Sequence, residues 1–187
     1  MQPKKWKLLS KKDVSPSKWF PIENRVYELP NGKIVDDFTV TTLADVAMVV
    51  PITKDKKVVL VNQYKPGVDE VIMQFAAGRI EPNHRNMDET AQHELEEETG
   101  IKVKLEQLTQ FAKLSGFSTK ATELVFVYLA VDCEFNSEQN FDPTEDIEIV
   151  QLSFEEMDEL VESNKIWCAQ TVACWELAKK KFPEIFE

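Results

Sequence analysis

The sequence predicts an α/β sandwich preceded by an extension built of strands, and three observations predict it. Residues 44–52 (ADVAMVVPI) are almost wholly apolar, which suits a strand covered on both faces. Residues 87–99 have a capping residue before them and a glycine after them, the signature of a helix with defined ends. Two more helical stretches follow the last strand-like run, so strands and helices form layers around one core. The 187 residues suit one domain with a small addition. The expected division is 1–43 for the extension and 44–187 for the main domain.

Each element has its own signal. In the extension, Tyr27-Glu28-Leu29 and Lys33-Ile34-Val35 flank Pro30-Asn31-Gly32, and Asn-Gly marks a hairpin. After 44–52 come the turn Thr53-Lys54-Asp55-Lys56, a strand over 57–64, and a third strand over 71–76 that ends at Ala77-Gly78. The helix over 87–99 opens at Asn86 with Glu89 three residues on, a capping box, and closes at Gly100. Strands are expected over 102–108, 123–131 and 147–152. An acidic, proline-containing loop fills 136–146. Helices are expected over 154–162 and 169–181. The stripe Val172, Trp175, Leu177 and Ala178 on the last of these reads as core packing.

Composition excludes several functions. Thirty-three acidic against 22 basic residues give a net charge of -11, so no basic stripe is available for a nucleic-acid backbone. An acidic protein that binds a phosphate ester must neutralise it locally, and a divalent cation is the natural device. No run of about 18 apolar residues suggests a membrane span, and the start, Met-Gln-Pro-Lys-Lys-Trp-Lys, lacks the apolar centre of a signal peptide. Cys133, Cys168 and Cys174 form no Cys-x-x-Cys pair, which suits reduced thiols in the cytoplasm. His84 and His93 have no cysteine nearby in sequence, so a zinc site is not expected.

The helix over 87–99 carries the chemistry. At about 100° per residue, Glu94, Glu97 and Glu98 share an arc of roughly 100°. Ala91 and Leu95 lie beside that arc and face the core, while Glu89 and Glu96 fall on the opposite, solvent side. Glu94 and Glu98 are like charges at i,i+4, a pairing that costs a few tenths of a kcal/mol. A hard cation with oxygen ligands would offset that cost.

Residues 78–101 (GRIEPNHRNMDETAQHELEEETGI) resemble the Nudix box. Glu94, Leu95, Glu97, Glu98, Gly100 and Ile101 occupy its positions. Gly78 matches its first glycine with one residue inserted in the loop, since fourteen residues separate Gly78 from His93, one more than in the pattern. The box's arginine is His93 here, and its first glutamate falls on Arg85. In the family that arginine helps hold the catalytic carboxylates, and histidine is shorter.

The resemblance continues outside the box. Val61-Asn62-Gln63-Tyr64-Lys65, Phe75-Ala76-Ala77-Gly78-Arg79-Ile80-Glu81-Pro82, Leu114-Ser115-Gly116-Phe117-Ser118 and Glu145-Asp146-Ile147-Glu148 are similar to segments of the ADP-ribose pyrophosphatase branch. That branch implies an α/β/α sandwich with a mixed sheet and a homodimer built with the N-terminal strands. It also implies Mg²⁺, with Mn²⁺ as the alternative, held by Glu94, Glu98 and the Ala77 carbonyl with support from Glu97. By the same resemblance Lys65 contacts a phosphate, and Glu145, or else Asp142, is the general base. Trp19, Phe20, Tyr27 and Phe117 are the aromatics available to the nucleobase. The implied reaction converts ADP-ribose to AMP and ribose 5-phosphate. Two other readings stay open: a hydrolase of another nucleoside diphosphate sugar, and a module that binds such a ligand without cleaving it.

Overall fold

The computed structural model describes residues 2–140 and 146–187. The chain forms two compact units, one of Met1–Asp45 with Ser115–Leu124 and one of Val46–Leu114 with Val125–Glu187. The segment 115–124 thus belongs with the N-terminal strands.

The first unit is a three-stranded antiparallel sheet of β1 (Lys7–Asp13), β2 (Ile22–Glu28) and β3 (Ile34–Thr41), in that order. The Asn-Gly hairpin joins β2 to β3. Gly32 takes φ 82° there, a value that favours glycine, and Asn31 Oδ1 accepts the Lys33 N–H at 3.0 Å. Trp6, Tyr27 and Phe38 meet edge to face at 5.7 to 5.8 Å between centroids, the arrangement aromatic quadrupoles favour. The segment 115–124 is fastened to the end of β3: Thr41 donates to the Lys120 carbonyl at 2.7 Å and accepts from Thr122 N–H at 3.0 Å.

The second unit is a mixed sheet of β4 (Val46–Thr53), β5 (Val58–Lys65), β6 (Glu70–Gln74), β7 (Ala77–Arg79), β8 (Leu108–Leu114), β9 (Val125–Cys133) and β10 (Ile147–Leu152). The order is β10-β5-β4-β9-β8, with β6 beside β5 and β7 beside β4. Among the described strands of this unit, only β4 and β9 pair in parallel. The helices are α1 (Met87–Thr99), α2 (Phe154–Glu162), α3 (Ala169–Lys181) and the short α4 (Pro183–Phe186).

The apolar run of β4 is explained by burial on both faces. Successive side chains alternate: Ala47 and Val49 pack with Ala91 and Leu95 of α1, and Met48, Val50 and Ile52 pack with Met157 of α2 and Trp175 and Ala178 of α3. This is the α/β/α sandwich. In the second layer Trp175 is fully buried, and its Nε1–H donates to Asp158 Oδ1 at 2.6 Å. No helix among the described residues is long and apolar enough to cross a membrane.

Two expected strands differ. Residues 102–108 form no strand: a 3₁₀ turn covers Leu105–Gln107 and β8 starts at Leu108. Side chains replace the ladder. Asn136 Oδ1 accepts from Lys102 N–H at 2.8 Å and Asn136 Nδ2 donates to the Lys102 carbonyl at 3.1 Å. Gln92 Nε2 donates to the Val103 carbonyl at 2.6 Å, and Gln107 Oε1 accepts the Lys104 N–H at 3.0 Å. The strand expected over 71–76 stops at Gln74. The chain then leaves β5, with Ala76 accepting from Val49 N–H at 3.0 Å, and continues as β7 against β4.

Candidate active site

The change of partner from β5 to β4 delivers Ala77 and Gly78 to the face of α1. The helix itself is fixed at both ends. Asn86 accepts the Glu89 N–H at 3.0 Å, a cap worth about 1 kcal/mol. The box is not reciprocal, because the Glu89 carboxylate accepts the Arg85 N–H at 2.8 Å instead. At the other end Gly100 takes φ 70° and donates to the Glu96 carbonyl at 2.8 Å. The Gly100 carbonyl accepts from Asn136 and Ser137, Glu97 O accepts from Asn140 N–H at 3.0 Å, and Glu98 O accepts from Gln139 Nε2 at 2.6 Å. The segment 136–140 therefore clamps the C-terminal turns of α1. Sequence reasoning missed this clamp, because polar residues in an acidic loop give no local sign of what they bind.

The glutamates expected at the site occupy distinct settings. A Cβ on Gly78 would overlap the carboxylate carbon and both oxygens of Glu94. The requirement for glycine is space alone, since Gly78 is not among the glycines at positive φ. Glu98 is 4% exposed, and its Oε2 accepts the Ala77 N–H at 3.1 Å. Burying a carboxylate is costly unless it is hydrogen-bonded or meets a cation. Glu97 is turned toward His93, with Oε2 3.1 Å from the ring Nδ1. Glu94 and Glu98 thus converge on consecutive residues of one short strand, with Glu97 beside them on the helix. Among the described residues no three His, Cys, Asp or Glu side chains form a ready-made metal cage. Mg²⁺ does not need one, since it takes one or two protein carboxylates and completes its shell with water and phosphate.

The glutamates outside this group are bound rather than merely solvated. Glu96 accepts from Lys102 Nζ at 2.9 Å and from Ser137 Oγ at 3.0 Å, and the Lys102 ammonium holds its carboxyl below the usual range. Arg85, at the position of the box's first glutamate, pairs with Glu89 and lowers its pKa likewise. Tyr128 donates to Asp88 Oδ1 at 2.7 Å, and burial, then that bond, raise its pKa.

The remaining expected site residues are spread over both units. Lys65 ends β5 and is half-buried, and Asn62 of the same strand donates to Glu148 Oε2 at 3.1 Å, joining two of the segments that carry the resemblance. Trp19 is 71% exposed with Lys18 Nζ 4.5 Å over its ring, and Phe117 is 60% exposed. Phe20 is exposed too, whereas Tyr27 is engaged in the aromatic triangle and accepts from Arg25 Nη1 at 3.3 Å. These four aromatics belong to the first unit. Asp142 and Glu145 lie outside the described residues.

Comparison with known proteins shows the family and the fold. Residues 42–172 match the NUDIX domain. The chain is 32% identical over 167 residues to the ADP-ribose pyrophosphatase of Bacillus subtilis (strain 168), covering 88% of each chain. It is 31% identical over 141 residues to the ADP-sugar pyrophosphatase of Mus musculus, covering 70% of this chain and 64% of that one. A solved ADP compounds hydrolase superposes with a TM-score of 0.84 at 25% identity, covering 98% of this chain and 97% of the other.

Proposed function

The chain belongs to the NUDIX domain family, and on that premise we propose that it cleaves the diphosphate bridge of a nucleoside diphosphate sugar in a Mg²⁺-dependent reaction. It is a pyrophosphohydrolase of the ADP-ribose or ADP-sugar type, as its likeness to both pyrophosphatases indicates. ADP-ribose, giving AMP and ribose 5-phosphate, is the first substrate proposed, and another nucleoside diphosphate sugar is the second. The observation that carries the reading is the seat of Glu94 on Gly78, beside the Glu98 carboxylate on Ala77.

The donor set fits a hard divalent cation. Glu94, Glu98 and the Ala77 carbonyl would hold it with Glu97 in support, all through oxygen, which suits Mg²⁺ and also Mn²⁺. Bound there, such a cation would offset charge on the diphosphate and would lower the pKa of a bound water. The protein supplies the rest. Lys65 orients a phosphate as a point charge, and Glu145, or else Asp142, takes the proton of the attacking water. Trp19, Phe20, Tyr27 and Phe117 are the aromatics proposed to stack the nucleobase. We also propose that residues 1–43 extend the main domain and build a homodimer through their strands, and that the protein works in the cytoplasm.

The test is product release from ADP-ribose, ADP-glucose, GDP-mannose, dinucleotides and nucleoside triphosphates, with Mg²⁺ and then with chelator. Metal-dependent cleavage of a diphosphate sugar is expected. Cleavage of triphosphates alone, or cleavage that survives the chelator, would refute the reading.

A further inference from the structure

His84, delivered by the loop before α1, is a residue the mechanism above does not use. Its Nδ1 lies 3.1 Å from Thr90 Oγ1 and 3.4 Å from Glu81 N. The Glu81 N–H donates to Nδ1, so Nδ1 is the accepting ring nitrogen, and the Thr90 hydroxyl, 3.1 Å from it and 3.2 Å from the Asn86 carbonyl, is the side-chain donor beside it. Thr90 is fully buried, and this contact pins the imidazole to the first turns of α1. The other nitrogen, Nε2, is buried and has no hydrogen-bond partner among the described residues. An unpaired buried polar atom costs free energy, so the ring is held there against that cost. It lies against His93, with centroids 5.0 Å apart and planes at 54°. His93 in turn sets its Nδ1 3.1 Å from Glu97 Oε2. A row of contacts therefore runs from Thr90 through His84 and His93 to the glutamate face.

We propose that His84 is a positioning residue for the hydrolysis: its ring, pinned by Thr90, holds His93 in the rotamer that engages Glu97. The inference rests on the reading of the glutamate face given above. The side chain of His93 is 46% exposed, and alone it would be free to sample other rotamers. Packing against His84 removes them and keeps the Glu97 carboxylate beside Glu94 and Glu98. His84 thus does its work through His93 and touches neither substrate nor cation.

The experiment compares the parent with His84→Ala, His93→Ala, the double variant and His84→Phe. Mn²⁺ affinity of the substrate-free protein is read by electron paramagnetic resonance. The kcat and KM for ADP-ribose are read with Mg²⁺. Loss of a partner that orients a metal ligand weakens metal affinity or activity on the order of tenfold. His84→Ala should lower Mn²⁺ affinity and kcat by that factor at unchanged KM, and His84→Phe, which keeps a flat ring against His93, should recover most of the loss. The double variant should be no worse than His93→Ala. Parent-like affinity and kcat in His84→Ala, or losses that multiply in the double variant, would overturn the proposal. If His84→Ala fails to fold, His84→Phe decides: metal affinity near the parent's supports the packing role, and affinity as low as His93→Ala's overturns it. A parent that turns over no substrate would refute the hydrolytic reading, while the Mn²⁺ comparison would still decide the role of His84.

Discussion

Replacing Gly78 with alanine should disable the enzyme while leaving the fold nearly intact. The added methyl would occupy space now held by the carboxylate carbon and both oxygens of Glu94. Gly78 is not among the glycines at positive φ, so alanine brings no backbone strain. The obstruction is the far end of a flexible side chain, and Glu94 can swing aside at a rotamer cost of about 0.5–1.5 kcal/mol. The function is less forgiving. Displacing a reacting or coordinating group by about 1 Å can cost on the order of 100-fold in rate, which is about 2.7 kcal/mol of transition-state stabilisation. The assay is kcat for ADP-ribose with Mg²⁺ beside a thermal melt. Gly67→Ala is the control, because a Cβ there meets nothing within 4 Å. The expected result is a melting temperature within a few degrees of the parent and a kcat lower by roughly 100-fold. A Gly78→Ala enzyme with parental kcat would refute the seat of Glu94 as part of the site.

Two further expectations concern the rest of the molecule. Burial pushes the thiols of Cys133 and Cys174 up to about 12, and these residues are 2% and 0% exposed. A disulfide reagent at mildly alkaline pH should therefore titrate at most Cys168 in the native protein and all three cysteines in urea; two fast thiols in the native protein would contradict the core packing. Glu96 is held below its ordinary pKa mainly by Lys102, so its contribution is present above the unfolded value and is lost as pH falls through the folded one. Glu96→Gln should cost about 1 kcal/mol at neutral pH and almost nothing near about pH 3, read from urea midpoints; an equal deficit at both would show that the pair is not the cause.

The sequence was most legible where a local pattern meets a single demand. Asn86 and Gly100 bracket α1, and helical spacing placed Ala91 and Leu95 in the core beside the glutamates, where both are fully buried. The apolar run of β4 announced a strand covered on both faces. Legibility failed where distant side chains decide the backbone. Residues 102–108 alternate like a strand, but Asn136 and Gln92 satisfy their polar groups and no ladder forms. The resemblance marked Gly78 as a box glycine, yet the reason for it lies in the close approach of β7 to Glu94. Arg85 and His93 read in sequence as departures from a pattern. In the structure Arg85 serves Glu89, outside the glutamate face, while His93 keeps a hold on Glu97.

The central claim is that the carboxylates gathered at Ala77 and Gly78 drive hydrolysis, and Glu98→Gln tests it most directly. The amide keeps the shape of the side chain and an oxygen that can accept the Ala77 N–H, but it removes the charge. Turnover of ADP-ribose by parent and variant would be followed by phosphorus magnetic resonance with Mg²⁺, beside circular dichroism of both proteins. A cation held by this carboxylate is worth several kcal/mol in the transition state, a factor on the order of 100 or more. The expected result is AMP and ribose 5-phosphate from the parent and almost none from an equally folded variant. Equal turnover by the two proteins would contradict the assignment of the site to this face of α1.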